Sequence, residues 1–379
     1  MPAMSAVSPL VLAVETSCDD TACAVVDGLG AVLASSVSSQ LLAHRPYGGV
    51  VPEIASREHL ANWPAVAAAA LEPLGIAPRD VDVVAATRGP GLVGALLVGL
   101  SLGKGLAYAL RKPFYAVHHM EGHLWSPFLA QGGAPAAAPP ERFAALIVSG
   151  GHTLLLEVDV AAQGNAIRVL AETRDDAIGE VFDKVGKRVG LPYPQGPKVD
   201  ALAESGDPVA AGLPVPRLGG GTMLPTGAET LRAPQEPLYF SYSGLKSAAI
   251  RRLEQLERAG VVADPQALLA GEAPPRPIVD LLAAFRAAAI AQLVDRLDRL
   301  HRERPFALLA VSGGVAANRL LRRELAAWAE GRSVDLRLVP LAYAGDNAAM
   351  IAFAALQRHR RGEPGDPWSV EAESRIPFG

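Results

Sequence analysis

Leu10 to Ser36 reads LVLAVETSCDDTACAVVDGLGAVLASS. Three apolar runs, Leu10–Thr16, Thr21–Asp27 and Ala31–Ser36, alternate with turn residues at Ser17–Asp20 and Gly28–Gly30. That is the pattern of an antiparallel meander of three strands whose first turn is acidic. It returns further along, with strand Ala144–Val148, polar turn Ser149–His152, and strands Thr153–Val158 and Ile167–Glu172. Two similar meanders in one chain predict a duplicated α/β architecture.

Working outward, the first meander leads through a Gly/Pro-bearing loop to a helical stretch, Ala55–Leu74, and a strand, Val81–Ala86. A glycine-rich turn, Arg88–Gly94, then opens a helix to Leu110, and Tyr115–Val117 is a short strand. After the second meander come a helical region, Asp175–Ser205, broken at Leu191–Pro197, and helices Gly244–Glu257 and Ile278–Arg302. Strand Phe306–Val311, glycine turn Ser312–Gly314, a helix, strand Asp335–Val339 and a closing helix, Gly345–His359, complete the reading. At about 150 residues per domain, 379 residues call for two. The first is expected over 1–130, the Gly/Ala/Pro segment Gln131–Pro140 is the linker, and the second runs over 141–345 with a Gly/Pro-rich insertion at 206–237. The helix over 345–360 can pack back on the first domain.

Half the residues are hydrophobic, 20% are charged and the mean hydropathy is +0.21, which excludes a disordered chain and fits a well-packed α/β protein. The formal net charge of −4 gives no bulk signal for nucleic acid, so any RNA contact must come from a local patch or from another subunit. Cys18 and Cys23 are too few for a disulfide framework and lack zinc-ribbon spacing. Together with the lack of a basic region before the first apolar run, this predicts a cytoplasmic protein. Gly91–Leu110 is apolar enough to raise the question of a membrane span, but Lys104 and several glycines lie inside it. The expectation is a buried, tightly packed helix and no membrane partner.

His119 and His123 are four residues apart, so on a helix both imidazoles project from one face within reach of one ion. A pair of structural histidines has the same spacing, and neighbouring His118 points elsewhere. A metalloprotease would place its glutamate directly after the first histidine; here Met120 follows and Glu121 is displaced around the helix. Two histidines leave a cation under-ligated, and Asp346, at the start of the closing helix, is the best third ligand, its other reading being a plain N-cap. Three glycine turns follow apolar strands, GPGLVG at Gly89–Gly94, SGGHT at Ser149–Thr153 and SGGVAAN at Ser312–Asn318. Exposed backbone amides at strand ends suit phosphate or carboxylate groups, and three such turns favour a nucleotide site. The GxxxxGK[ST] phosphate-binding loop is not present, Gly99–Gly105 reading GLSLGKG. In FDKVGKRVGLPYPQGP, Phe182–Pro197, a helix carries Asp183, Lys184 and Lys187 ahead of a turn at Gly196, and Asp183 can accept from ribose or amine groups. The loop His44–His59, HRPYGGVVPEIASREH, has a density of ionisable groups that suits a surface for substrate or partner.

These motifs, with VETSCDDT, GGVVPEIASREH, LIVSGGHT, YSGLK and AGDNAAM, run in order from Glu15 to Met350 and resemble the tRNA N6-adenosine threonylcarbamoyltransferases, formerly called O-sialoglycoprotein endopeptidases. The resemblance implies an actin/Hsp70/sugar-kinase-like (ASKHA) fold of two related α/β domains with a nucleotide cleft between them. It implies that His119, His123 and Asp346 hold one divalent metal ion per subunit, iron or zinc. Adenylate contacts would fall on Ile147, Val148, Ser149, Gly150, Gly151, Asp183, Gly196 and Asn318. Asp19 would lie near the reaction centre, with Asp19 and His152 the candidate bases. The implied reaction transfers the threonylcarbamoyl group of threonylcarbamoyl-AMP to N6 of adenosine 37 in tRNAs reading codons that begin with A, releasing AMP. Implied partners are tRNA, a smaller subunit of the same fold and a P-loop ATPase. Gln195, Pro192 and the 206–237 insertion depart from the family pattern at the rim of the pocket. The rival readings are an ATPase or sugar kinase of the same fold, whose magnesium would sit on carboxylates and phosphates, a metalloendopeptidase, and a scaffold without catalysis.

Overall fold

The computed structural model describes residues 7–130, 138–160, 166–213 and 238–378; residues 131–137 of the expected linker and 214–237 of the expected insertion lie outside these. The chain forms two compact units, Met1–Pro140 with Ala310–Gly313 and Arg337–Gly379, and Glu141–Leu309 with Gly314–Leu336.

The first unit is built on strands β1 (Val11–Glu15), β2 (Asp20–Val26), β3 (Val32–Ser39), β4 (Val83–Gly89) and β5 (Phe114–His118), in the order β3-β2-β1-β4-β5. The meander β1-β2-β3 is antiparallel and β4 and β5 add parallel to it. Every residue of β1 is buried, because both faces of the sheet are covered. Leu12, Val14, Cys23, Val25, Val84 and Ala86 share one face with Val66, Ala70 and Leu71 of helix Pro52–Leu71 and Leu100 and Ala107 of helix Val93–Leu110. By the two-residue period of a strand, Ala13 and Glu15 point to the opposite face, where helix Ala348–Arg360 packs on β1 and β2. That parity places the one carboxylate of β1 on the side where helix His119–Trp125 lies against Ala348–Arg360.

Helix Val93–Leu110 departs from its expected full burial. Its inner face carries Ala95, Leu96, Gly99, Leu100, Gly103 and Ala107, while Leu97 and Tyr108 are exposed. The glycines serve close packing, since a Cβ on Gly99 would fall 2.2 Å from Thr16 Oγ1 and one on Gly103 2.8 Å from Ala86 Cβ. This helix and Arg276–Glu303 are long and apolar enough to cross a membrane by composition. Both carry a buried face against their own unit.

The second sheet contains β6 (Arg142–Val148), β7 (Thr153–Asp159), β8 (Ala166–Thr173), β9 (Leu238–Phe240), β10 (Leu308–Ser312) and β11 (Asp335–Leu338), in the order β11-β10-β6-β7-β8-β9. Its meander β6-β7-β8 is antiparallel like the first, with Ile147 opposite Leu154 and Val148 opposite Thr153. Helices Ile178–Val189, Gln195–Ala203, Ser243–Arg258 and Arg276–Glu303 pack together in this unit, and Arg319–Glu330 lies on the last of them. The helical region after the second meander is broken at the expected place, Gly190 closing the first helix at φ +95° and Gln195 opening the next.

Candidate functional site

Helix His119–Trp125 begins directly after β5, with His119 in its first turn and His123 one turn on, both buried. Gly122 sets how closely this helix approaches Ala348–Arg360, since a Cβ there would meet Ile351 Cδ1 at 2.8 Å and Met350 Cγ at 3.0 Å. The close approach brings Asp346 Oδ1 to 3.2 Å from His123 Nε2 and 3.5 Å from His119 Nε2. Asp346 is not the helix cap that the sequence also allowed. Asn347 takes that role, its side chain accepting from Met350 N at 2.9 Å and donating to the carbonyls of Tyr343 and Gly345. With the cap supplied by its neighbour, Asp346 turns its carboxylate to the histidines.

Behind His119 stands a residue that sequence reading missed. Glu15, fully buried at the end of β1, has Oε2 3.2 Å from His119 Nδ1, and it accepts from Ser17 N at 2.5 Å and from Thr87 Oγ1. Ser17 Oγ is 3.3 Å from the same nitrogen. Burial disfavours charge on His119, but the Asp346 and Glu15 carboxylates outweigh it and hold the imidazolium up to about 10. Burial also opposes ionisation of Glu15 and Asp346, yet His119 pulls both below their ordinary values. Burial keeps His123 neutral. The cluster thus carries two carboxylates against one imidazolium.

A divalent cation fits this arrangement. Two imidazole nitrogens and one carboxylate oxygen form a donor set of the zinc and non-haem iron type, and bonds near 2.05 Å in tetrahedral geometry put ligand atoms about 3.3 Å apart. The three atoms lie within 4.8 Å of one another, and two of their separations are 3.2 and 3.5 Å. Replacing the His119 proton by a dication would neutralise Glu15 and Asp346 together, and Glu15 on the other ring nitrogen is the usual support of a metal-bound histidine. Glu121 plays no part here, for its charged neighbours are Arg358, Arg361 and Glu363.

The acidic turn precedes β2. Asp19 is partly exposed, and its backbone carbonyl accepts from Gln40 N at 2.9 Å. Asp20 is mostly buried, its Oδ1 has no partner, and burial pushes its carboxyl up to about 7. Burial also pushes the Cys18 thiol far up, so it is no thiolate at neutral pH. The turn is fixed from behind by His59, whose Nε2 donates to Cys18 O at 3.1 Å while Nδ1 lies 2.8 Å from Thr21 Oγ1 and 3.0 Å from Gln40 Nε2. His44 is linked to Gln40 Oε1 at 3.1 Å. The loop read as an ionisable surface is therefore divided, with both histidines buried as internal braces and Arg45, Glu53 and Arg57 exposed.

In the second unit a cavity of about 380 Å³ gathers four of the expected adenylate residues, Gly150, Asp183, Gly196 and Asn318, with Asp200, Gly314 and Val315. Every residue lining it belongs to this unit. A Cβ on Gly150 or Gly314 would meet no protein atom within 4 Å, so these positions leave room for a ligand rather than for the fold. Asp183 Oδ1 accepts from Gly196 N at 2.8 Å, which fixes the carboxylate on the wall. Ile147 and Val148 are buried in β6 and do not line the cavity. Ser149 spends its amide on His152 O, its hydroxyl on His152 N and its carbonyl on Gly179 N, so it shapes the turn. Gly151 and His152 belong to that turn without lining the cavity. Asp200, a lining carboxylate missed in the sequence, is held by Arg286 Nη1 at 2.8 Å and by Arg319 N at 3.2 Å.

Two α/β units, each on an antiparallel meander, give the chain the fold of the actin/Hsp70/sugar-kinase class, one unit carrying a two-histidine, one-carboxylate group and the other a glycine-walled cavity. The solved structure of (R)-2-hydroxyglutaryl-CoA dehydratase component A from Acidaminococcus fermentans shares this fold, with a TM-score of 0.50 and 13% identity over 94% of this chain and all of that one. Sequence comparison is more specific. The family model TsaD, tRNA N6-adenosine threonylcarbamoyltransferase, matches residues 31–353. Proteins of that name from Sorangium cellulosum (45% identity, covering 93% of this chain and 92% of the relative) and Pelobacter propionicus (46%, covering 90% of each) align along most of their length. The chain belongs to the tRNA N6-adenosine threonylcarbamoyltransferase family.

Proposed function

We propose that this chain transfers the threonylcarbamoyl group of threonylcarbamoyl-AMP to N6 of adenosine 37 in tRNAs that read codons beginning with A, with AMP as leaving group. The observation that carries this reading is the match to transferases of that name over nine-tenths of the chain. The cavity of the second unit supports it through four of the eight expected adenylate residues. Gly150, Gly196 and Gly314 offer a wall without side chains on which an adenylate can lie, and Asp183 and Asp200 offer carboxylates to its hydroxyl groups. The N6 amine attacks the carbamoyl carbon, the bond to the phosphate oxygen breaks, and the amine proton leaves to a base or to water. Asp19 and His152, in different units, are the candidate bases, and an amine attacking a mixed anhydride needs little such help.

His119, His123 and Asp346 would hold one divalent ion, iron or zinc, which when bound supplies Lewis-acid stabilisation of developing oxygen charge. Glu15 and Ser17 orient His119 through its second nitrogen. The rival kinase reading gains nothing from a histidine pair, and the peptidase reading lacks the glutamate directly after the first histidine, Glu121 having Arg358 and Arg361 as its charged neighbours.

The net charge of −4 supports division of the tRNA contact with further subunits, for which a smaller chain of the same fold and a P-loop ATPase are proposed. Exposed Leu60 and Leu97, which line one groove of the first unit with Trp63 and Leu106, support a protein partner there. Nucleoside mass spectrometry of unmodified tRNA, incubated with this chain, its partners, threonine, bicarbonate and ATP, tests the reading. Threonylcarbamoyladenosine is expected, and its yield should fall at least about a hundredfold with His119→Ala plus His123→Ala. A reconstituted system that forms the adenylate but leaves tRNA unmodified would overturn it.

A further inference from the structure

We propose that the C-terminal segment Asp366–Phe378 positions the metal-bearing helix through His118, which makes His118 a positioning residue beside the ligands. The inference rests on the metal reading above. His118 ends β5 and caps helix His119–Trp125, its Nδ1 accepting from Met120 N at 3.1 Å. A neutral imidazole accepts at Nδ1 only when its hydrogen is on Nε2. The carbonyl of Ile376 lies 3.3 Å from Nε2 and takes that hydrogen, so the C-terminal segment selects the tautomer that can cap. Phe378 stacks on the same ring at 4.7 Å with 28° between planes.

The segment is itself anchored along β5 and β4. Asp366 N donates to Phe114 O at 2.7 Å, and Asp366 Oδ2 accepts from Ala116 N at 2.7 Å. Trp368 lies along Phe114 at 6.3 Å, and its carbonyl accepts from Lys104 Nζ at 2.9 Å. Glu373 N donates to Arg88 O at 3.0 Å, and the two side chains form an ion pair. Gly89, at φ +151°, leaves the space that Glu373 O occupies.

The consequence follows from the helix's length. Seven residues are too few to fix an axis by their own hydrogen bonds, so the packing of the helix and its N-terminal cap decide where the histidines point. Gly122 docks the middle of the helix on Ala348–Arg360, and the His118 cap fixes its start. The first helical residue after that cap is His119, so a frayed first turn moves a ligand directly.

Co²⁺ titrations of the full chain, of a form ending at Arg375, of His118→Ala, and of His118→Asn with and without residues 376–379 test this. Asparagine caps with its amide oxygen and has no tautomer to select. The form ending at Arg375 and His118→Ala should bind Co²⁺ about three- to tenfold more weakly, as loss of a cap allows. His118→Asn should hold near-native affinity whether or not the last residues are present. Unchanged Co²⁺ affinity in the shortened form, even with a lower melting temperature, would overturn the proposal. So would a shortened His118→Asn chain as weak as the shortened parent. Failure of the full chain to take up Co²⁺ at all would instead remove the metal reading beneath it.

Discussion

Single ionisable groups set the pH behaviour. The His119 proton, held up to about 10 by Asp346 and Glu15 against the cost of burial, must leave before a metal ion can take its place. Metal uptake at neutral pH should therefore release about one proton, and affinity should rise about tenfold per pH unit from 6.5 to 8.5, which calorimetric titration in buffers of different ionisation heat will read. A pH-independent affinity would contradict the proton's place in the cluster. Asp20 acts in the opposite sense to a paired carboxylate. Its carboxyl is pushed up to about 7, so the stability it permits is complete at pH below its unfolded value near 4 and is lost as pH rises through 7. Asp20→Asn should leave melting nearly unchanged at pH 4.5 and stabilise by about 1–2 kcal/mol at pH 8. Such a cost beside Asp19 is the kind of buried, partly unsatisfied group that concentrates at functional turns.

Between elements, the contact of helix His119–Trp125 with Ala348–Arg360 is the one on which the metal cluster depends, because His123 comes from one and Asp346 stands next to the cap of the other. Gly122 permits it. Gly122→Ala should part the helices by a few tenths of an ångström, cost about 1–3 kcal/mol of stability and weaken metal binding about tenfold, as thermal melts and Co²⁺ titration will show. Unaltered binding would mean that Ile351 and Met350 absorb the methyl. Helix Val93–Leu110 illustrates a different point. Its apolar composition reads as full burial, but a helix against one face of a sheet buries only a stripe, and the glycines on that stripe report how near Thr16 and Ala86 come.

For the whole molecule, ligands that bind only the folded chain should raise its stability with the logarithm of their free concentration above the dissociation constant. Removing the metal with a chelator from protein kept in free metal at about a hundred times the dissociation constant should lower stability by about 2.7 kcal/mol, read as a fall of several degrees in the calorimetric transition. A chelated chain melting as before would leave His119, His123 and Asp346 as a structural cluster. AMP should independently stabilise the chain through the cavity lined by Gly150, Asp183 and Asn318, and not through the histidines.

The sequence alone determined the two meanders, the helix between Gly91 and Leu110, the break at Leu191–Pro197, and the spacing that puts His119 and His123 on one face. All of these are local periodicities of two or 3.6 residues, or turn residues at fixed offsets, and need no distant contact. Its ordered motifs also carried the family, which the comparisons bear out. Only the tertiary structure decided that Asn347 rather than Asp346 caps the last helix, that Glu15 stands behind His119, that His44 and His59 are internal braces, and that His118 holds the C-terminal segment. Each joins residues far apart along the chain, and such pairings are set by which faces of strand and helix meet when the core closes, a choice that no local pattern encodes.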